Sequence, residues 1–345
     1  MDVSAFPPVQ QRLMDFIRRK FETPQDQYNV KKLIGDASAR QYFRLTRQDD
    51  VSYILAAYPE PFRLESFTYK QVYDLFNLVG LPTAEVLDID PDLAIVLQED
   101  LGDESLQGRL RGASAEEHRR WLAPAIDLLI RIQTEGSRLC PGAIEAATLA
   151  FDEQKLAWEL AFFRRYYGDY RRLPLTEQPE LIDESIRLAR ELAAYPRFLC
   201  HRDYHIRNLM VKGERIYIID FQDARQGPAS YDLVSLLKDS IQLAADEVSW
   251  FIDYYLERSC ALGSPALLDK EVFQRQFDLM CVQRLLKALG TYGYQITQRG
   301  NFIYEQYVPG SLQRALDALR AVPEFPRIRA IVTSEVERLG AREPR

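Results

Sequence analysis

Apolar positions recur every three or four residues over 9–22, at Val9, Leu13, Phe16, Ile17 and Phe21, which predicts an amphipathic helix packed outside whatever follows. The period then shortens. Residues 30–34 and 41–45 read as two short strands around the small-residue loop Gly35-Asp36-Ala37-Ser38-Ala39-Arg40, and 51–58 reads as a third. Helical spacing returns over 64–79 through Leu64, Phe67, Val72, Leu75, Phe76 and Val79, with Gly80 as the stop. Two more strands, 83–89 and 93–97, flank Asp90-Pro91-Asp92.

Beyond residue 102 the pattern is helical. Ser114-Ala115-Glu116-Glu117 fits a capping box and opens a helix with Trp121, Leu122, Ala125, Leu128, Leu129 and Ile132 on one side, closed by Gly136. His118 in its first turn reads as a solvated side chain. A second helix spans 153–167; the basic residues Arg164, Arg165, Arg171 and Arg172 at and beyond its end read as a solvated, dipole-favoured terminus, an anionic substrate being the alternative. Helices fill most of 230–340, including 271–297.

Residues 198–223 interrupt this pattern. Apolar Phe198-Leu199-Cys200 leads into the polar loop His201-Arg202-Asp203-Tyr204-His205-Ile206-Arg207-Asn208. Two apolar runs, 209–211 and 216–219, flank Lys212-Gly213-Glu214-Arg215, which predicts a hairpin with Asn208 at one strand's start and Asp220 at the other's end. The two side chains are thereby brought close, with Asp203 on the loop that feeds them. An Asn carbonyl and an Asp carboxylate are hard oxygen ligands suited to Mg²⁺, and a further carboxylate can orient an attacking hydroxyl and accept its proton.

The pattern His201-x-Asp203-x-x-x-x-Asn208, then an apolar strand ending in Asp220-Phe221-Gln222-Asp223, resembles the catalytic core of the kinase superfamily, and within it the aminoglycoside phosphotransferase family. Gln222 stands where protein kinases carry Gly, and no Ala-Pro-Glu segment follows. The third strand offers Ala56 and Ala57 where a phosphate-contacting Lys is usual. The loop at 35–44, this Lys-free strand, residues 97–103 and residues 219–239 are together similar to the branch containing the bacterial kinases of the anomeric hydroxyl of N-acetylmuramate and N-acetylglucosamine.

The resemblance implies a two-lobed, kinase-like α+β fold: a nucleotide-binding lobe at 1–101, and a second lobe at 102–345 carrying the catalytic loop and acceptor pocket. It implies an ATP- and Mg²⁺-dependent transfer of the γ-phosphoryl group to a sugar hydroxyl. Asp203 would be the base or orienter, and Asn208 and Asp220 the metal ligands. Gly35, Asp36, Ala37, Ser38 and Arg40 would cover the phosphates, with Arg40 or Arg44 replacing the missing Lys. Residues 98–101, including Glu99 and Leu101, would hold adenine. His201 and Asp232 would support the loop, and Asp223, Arg284, Lys287, Tyr292 and Tyr294 are candidate acceptor contacts. An aminoglycoside or choline-like acceptor is the alternative, and a nucleotide-binding pseudokinase scaffold the alternative of another class.

Composition narrows this further. No apolar run in the 345 residues approaches a membrane span, and the N-terminus lacks a basic, apolar leader. Four cysteines at 140, 200, 260 and 281 form no Cys-x-x-Cys pair, as expected of reduced thiols in a cytoplasmic protein. A net charge of −7 argues against a nucleic-acid partner.

Overall fold

The computed structural model describes residues 6–21, 28–33, 40–263 and 269–340. Residues 35–38 of the small-residue loop, and the 341–345 tail, lie outside them.

Helix α1 (Val9–Phe21) buries Leu13, Phe16 and Ile17 against one face of an antiparallel sheet. The sheet comprises β1 (Tyr28–Lys32), β2 (Gln41–Arg47) and β3 (Ser52–Ala57) and, after helix α2 (Thr68–Val79), β4 (Val86–Asp90) and β5 (Ile95–Glu99), ordered β1-β2-β3-β5-β4. Strand alternation divides its two faces. Leu55, Ala57, Ile95 and Leu97 pack toward α1, whereas the paired Ala56 and Val96 join the core that α2 builds. Gly80 ends α2 at φ 72°, a left-handed cap that a residue with a Cβ adopts at a cost.

The last two strands begin three and two residues later than their apolar runs suggest. The first is delayed because residues 82–84 serve the other half of the molecule: Ile218 donates its N–H to the Pro82 carbonyl at 2.8 Å, and Thr83 bridges to Ile218. The second is delayed because residues 91–94 form the turn, with Ala94 at φ 53°.

After the sheet come α3 (Leu106–Arg109), α4 (Ala115–Arg131), α5 (Ser137–Leu139), α6 (Glu145–Thr148), α7 (Glu153–Arg171) and α8 (Pro179–Ala193). Ser114 and Glu117 form the capping box of α4. Gly136 is no stop, because the chain continues through a π-helical turn at Ile132–Gly136 into α5. Strands β6 (Arg197–Cys200), β7 (Leu209–Lys212), β8 (Arg215–Ile218) and β9 (Arg225–Pro228) follow, then α9 (Ser230–Val234), α10 (Ala245–Ala261), α11 (Lys270–Arg299), α12 (Val308–Ala321) and α13 (Pro326–Gly340). β9 pairs with β6, with Gly227 opposite Phe198 and Pro228 opposite Arg197.

Helices α7 and α11 meet backbone to backbone. A Cβ on Gly290 would lie 2.7 Å from the Phe163 Cα, and one on Gly293 only 2.3 Å from the Tyr166 carbonyl oxygen. Two side chains read as solvated are buried instead. His118 Nδ1 lies 2.8 Å from Glu247 Oε1 on α10, and Arg171 Nε donates to Glu335 Oε2 of α13 at 2.5 Å. Each partner lies more than a hundred residues away, so a local charge pattern carries no trace of it.

Candidate active site

Strands β7 and β8 form the predicted hairpin, turning at Gly213 with φ 63° and pairing Leu209 with Ile218. Buried Leu209, Val211, Ile216 and Ile218 anchor it from below. The Asn208 Nδ2 donates to the Asp203 carbonyl at 2.9 Å and lies 3.5 Å from Asp220 Oδ2. That assignment leaves the Asn208 Oδ1 without a partner among the described residues. Phe221 fixes the position of Asp220, stacking on Tyr69 of α2 at 5.1 Å and packing on Phe76 at 5.2 Å.

The loop before the hairpin is held by Asp232 on α9. Its fully buried carboxylate accepts the backbone N–H of His201 at 2.6 Å and of Arg202 at 3.0 Å. Burial pushes Asp232 up to about 6, against the opposing pull of His201 and these hydrogen bonds. His201 Nδ1 accepts from the Asp203 N–H at 3.3 Å, so Nε2 carries the proton it shares with the Ile219 carbonyl at 2.9 Å. Arg202 and Asp220 both occupy left-handed backbone, at φ 84° and 63°. Such strain in residues with a Cβ is held in place here by the surrounding bonds.

Asp203 sits between opposing influences. Burial alone raises its pKa, but the charges of Lys287, Arg202 and Arg284 prevail and hold it well below the usual carboxylate range. Asp220 is likewise depressed: Arg40 and a hydrogen bond from Gln222 outweigh its burial.

A cleft of about 600 Å³ lies between the sheet and the hairpin, lined by Arg40, Ile54, Leu101, Asn208, Met210 and Asp220 among others. Glu99 and Leu101 both line it. The Glu99 carboxylate is held by Lys212 at 2.6 Å, whereas the Leu101 backbone N–H and C=O have no partner among the described residues.

The two arginines on the second strand's approach part company. Arg40 donates to Asp220 Oδ1 at 2.5 Å and to Gln222 Oε1 at 2.8 Å, with Tyr42 and Tyr58 rings about it. Arg44 points to the connection between sheet and helices, where it holds Asp100 and Asp103 in bidentate pairs at 2.6–3.1 Å. The structure therefore brings Arg40, and not Arg44, to Asp220.

The later candidates divide as well. Asp223 pairs with Arg202 at 3.0 Å. Arg284, only 4% exposed, is consumed by Asp239 at 2.5 Å, Ser235 and the Arg202 carbonyl, so it braces the loop from below. Lys287 acts on Asp203 from one turn further along α11. Tyr292 belongs to a ring cluster with Tyr304 and Tyr307, whereas Tyr294 packs on Phe162 and Tyr166 of α7. Arg202 and His205 were not singled out by sequence, and Gln222 was noted only as a departure from the kinase Gly. His205 is pushed down to about 4 by burial and by Arg207, which keeps it neutral at pH 7. The polar Gln222 in place of a Gly was the one visible signal.

Residues 29–268 match the model of the phosphotransferase enzyme family. The chain belongs to that family. It is therefore a phosphotransferase, and the family implies ATP as donor and a divalent metal ion. Among its relatives, the N-acetylmuramate/N-acetylglucosamine kinase of Neisseria meningitidis is 31% identical over 325 residues, 93% of each chain. The enzyme of the same name from Pseudomonas aeruginosa is 29% identical, covering 87% of this chain and 86% of its own. Solved structures share the fold: a choline kinase from Cryptosporidium parvum has a TM-score of 0.59 at 11% identity, covering 94% of this chain and 99% of its own. An amicoumacin kinase in complex with AMP-PNP and Ca²⁺ also has a TM-score of 0.59, at 14% identity, covering 89% and 95%.

The residues present suit a divalent metal. The free Asn208 oxygen beside the Asp220 carboxylate is a hard donor pair, and cations of this class complete their shells with water and phosphate oxygens. Among the described residues no larger cluster of His, Cys, Asp or Glu offers a competing metal nest. No helix among them is long and apolar enough to cross a membrane.

Proposed function

We propose that this protein transfers the γ-phosphoryl group of ATP to the anomeric hydroxyl of N-acetylmuramate or N-acetylglucosamine. The observation that supports this is a cleft of nucleotide size lined by Asn208 and Asp220, with Asn208 bonded to the backbone of Asp203 on the loop that feeds the hairpin. The acceptor is supported by similarity to the Neisseria and Pseudomonas enzymes along nearly the whole chain.

In this reading adenine takes the slot at residues 98–101, where Leu101 offers its free backbone groups. Residues 1–101 form the nucleotide lobe and 102–345 the acceptor lobe. Asn208 and Asp220 would hold Mg²⁺, which would supply positive charge against the phosphates. Arg40 supplies the cation that the third strand lacks. Residues 35–38 cover the phosphates, and His201 and Asp232 keep the loop in register.

Asp203 orients the acceptor hydroxyl and takes its proton. A carboxylate this acidic is a weak base, which suits a loose transition state in which the proton leaves late. Catalysis then rests on positioning and electrostatics. A soluble, cytoplasmic setting without nucleic-acid or membrane partners completes the reading.

A coupled ADP-release assay with N-acetylmuramate, N-acetylglucosamine, kanamycin and choline tests it, with Asp203→Asn as control. Turnover of the amino sugars with an anomeric phosphate by phosphorus NMR is the expected result. Turnover of kanamycin or choline alone would replace the acceptor, and ATP binding without any turnover would favour a scaffold.

A further inference from the structure

Cations gather around Asp203, where Lys287, Arg202 and Arg284 all act on its carboxylate. Arg202 is satisfied by Asp223, and Arg284 by Asp239. Lys287 makes no close ion pair among the described residues beyond its action on Asp203, and the buried Arg225 lies over the Phe151 ring at 5.3 Å. Lys155 on α7 lies 3.7 Å from Glu159, which already accepts from Gln283 at 2.8 Å. Burial first, and then the positive charges of Arg225, Arg202 and Lys287, lower the pKa of Lys155.

The placement of these groups is fixed by the fold. Arg284 donates to the Arg202 carbonyl at 3.2 Å, which turns that face of α11 to the catalytic loop, and Lys287 follows one turn later on the same face. Arg225 opens β9, its Nε donating to the Asp223 carbonyl at 3.2 Å. Lys155 lies over the ring of Trp158 at 4.1 Å, and Trp158 is 56% exposed at the end of an aromatic row with Phe162 and Tyr166. None of Lys155, Arg225 and Lys287 lines the nucleotide cleft.

We propose that Lys287 and Lys155, brought to one side by the Glu159–Gln283 bond between α7 and α11, form a carboxylate subsite for the acceptor, with buried Arg225 adding positive charge from beneath and the exposed Trp158 indole offering a face to its sugar ring. The inference rests on the amino-sugar kinase reading and deepens it: the preferred acceptor carries an acid group. N-acetylmuramate differs from N-acetylglucosamine by a lactyl ether ending in a carboxylate. Crowded like charges are relieved by a bound anion, whereas a cationic acceptor such as choline or kanamycin would add to the crowding. The subsite thus discriminates by attraction and repulsion together.

The test measures kcat/KM for N-acetylmuramate, its methyl ester and N-acetylglucosamine in wild-type protein, Lys287→Met, Lys287→Arg and Lys155→Met. The expected result is a wild-type preference of about tenfold or more for the free acid over the ester, the size of a lost charge-assisted hydrogen bond. Lys287→Met should reduce the acid-to-neutral ratio by a similar factor through KM, with Lys287→Arg restoring most of it. Wild-type indifference to esterification overturns the proposal without any variant having to fold. A uniform kcat loss with a raised KM for ATP would also overturn it, by assigning the cations to the transferring phosphoryl group. Wild-type failure on every amino sugar would instead sink the amino-sugar reading itself.

Discussion

Arg40 Nη2 lies 2.5 Å from Asp220 Oδ1, so the last residue of the small-residue loop is bonded across the cleft to the carboxylate that ends the hairpin. Gln222 locks the pair by accepting from Arg40 and donating to Asp220 at 3.0 Å. A ligand metal and phosphates entering this point would exchange partners with Arg40, so the arginine is at hand when phosphate charge arrives.

Arg40→Met should therefore raise the KM for ATP by about tenfold or more, the effect of one lost charge-assisted contact. Arg44→Met should leave that KM within about twofold and lower Tm instead, because its partners Asp100 and Asp103 lie at the connection between sheet and helices. Steady-state kinetics beside thermal melts separate the two arginines; equal KM effects would contradict the division.

Asp203→Asn removes the proton acceptor while keeping the shape of the side chain. Its kcat should fall by about 10²–10⁴-fold with ATP affinity retained. Single-turnover rates and nucleotide titration report the two quantities separately, and near-normal turnover would falsify the role.

The pH dependence should show Asp232. Its carboxyl is raised to about 6, so the acid limb of the kcat/KM profile is expected near that value as the acceptor of the His201 and Arg202 N–H groups becomes protonated. Asp203, held low, does not titrate in this range. Stability moves the other way: with a folded pKa above the unfolded one, the contribution of Asp232 is full below about 4 and is lost as pH rises through about 6. Activity and melting profiles from pH 5 to 8 should thus have opposite slopes from this group, and Asp232→Asn should remove the acid limb.

Gly293→Ala places a Cβ within 2.3 Å of the Tyr166 carbonyl, and backbone cannot give way as a side-chain tip does. A loss of about 1–3 kcal/mol or more is expected, seen as a fall of several degrees in Tm. Gly142→Ala, with nothing within 4 Å of the new Cβ, is the matched control.

Local patterns made the hairpin, the capping box and the main helices readable, because each is specified by residues within one turn or one strand of each other. The approach of Asn208 to Asp220 was legible for that reason. Arg40 on Asp220, Arg171 on Glu335 and His118 on Glu247 were not, since each joins elements brought together only by the tertiary fold. Strand β9 escaped notice because Arg225-Gln226-Gly227-Pro228 has no apolar alternation; its pairing with β6 supplies what its composition lacks. Lys155 and Trp158 were hidden in a helix whose apolar face was easy to see and whose other face gave no sign of what it met.

The contact of Gly290 and Gly293 with the α7 backbone has a further implication. The spacing of the two helices that carry Lys155, Trp158 and Lys287 is set by main chain against main chain, not by the side chains presented to the acceptor. Those side chains can be exchanged over generations while the frame that holds them stays put. On the proposed subsite, acceptor preference is then open to drift, and a charge change at position 155, away from the charges that hold Asp203, is a short mutational route from an acidic sugar to a neutral one.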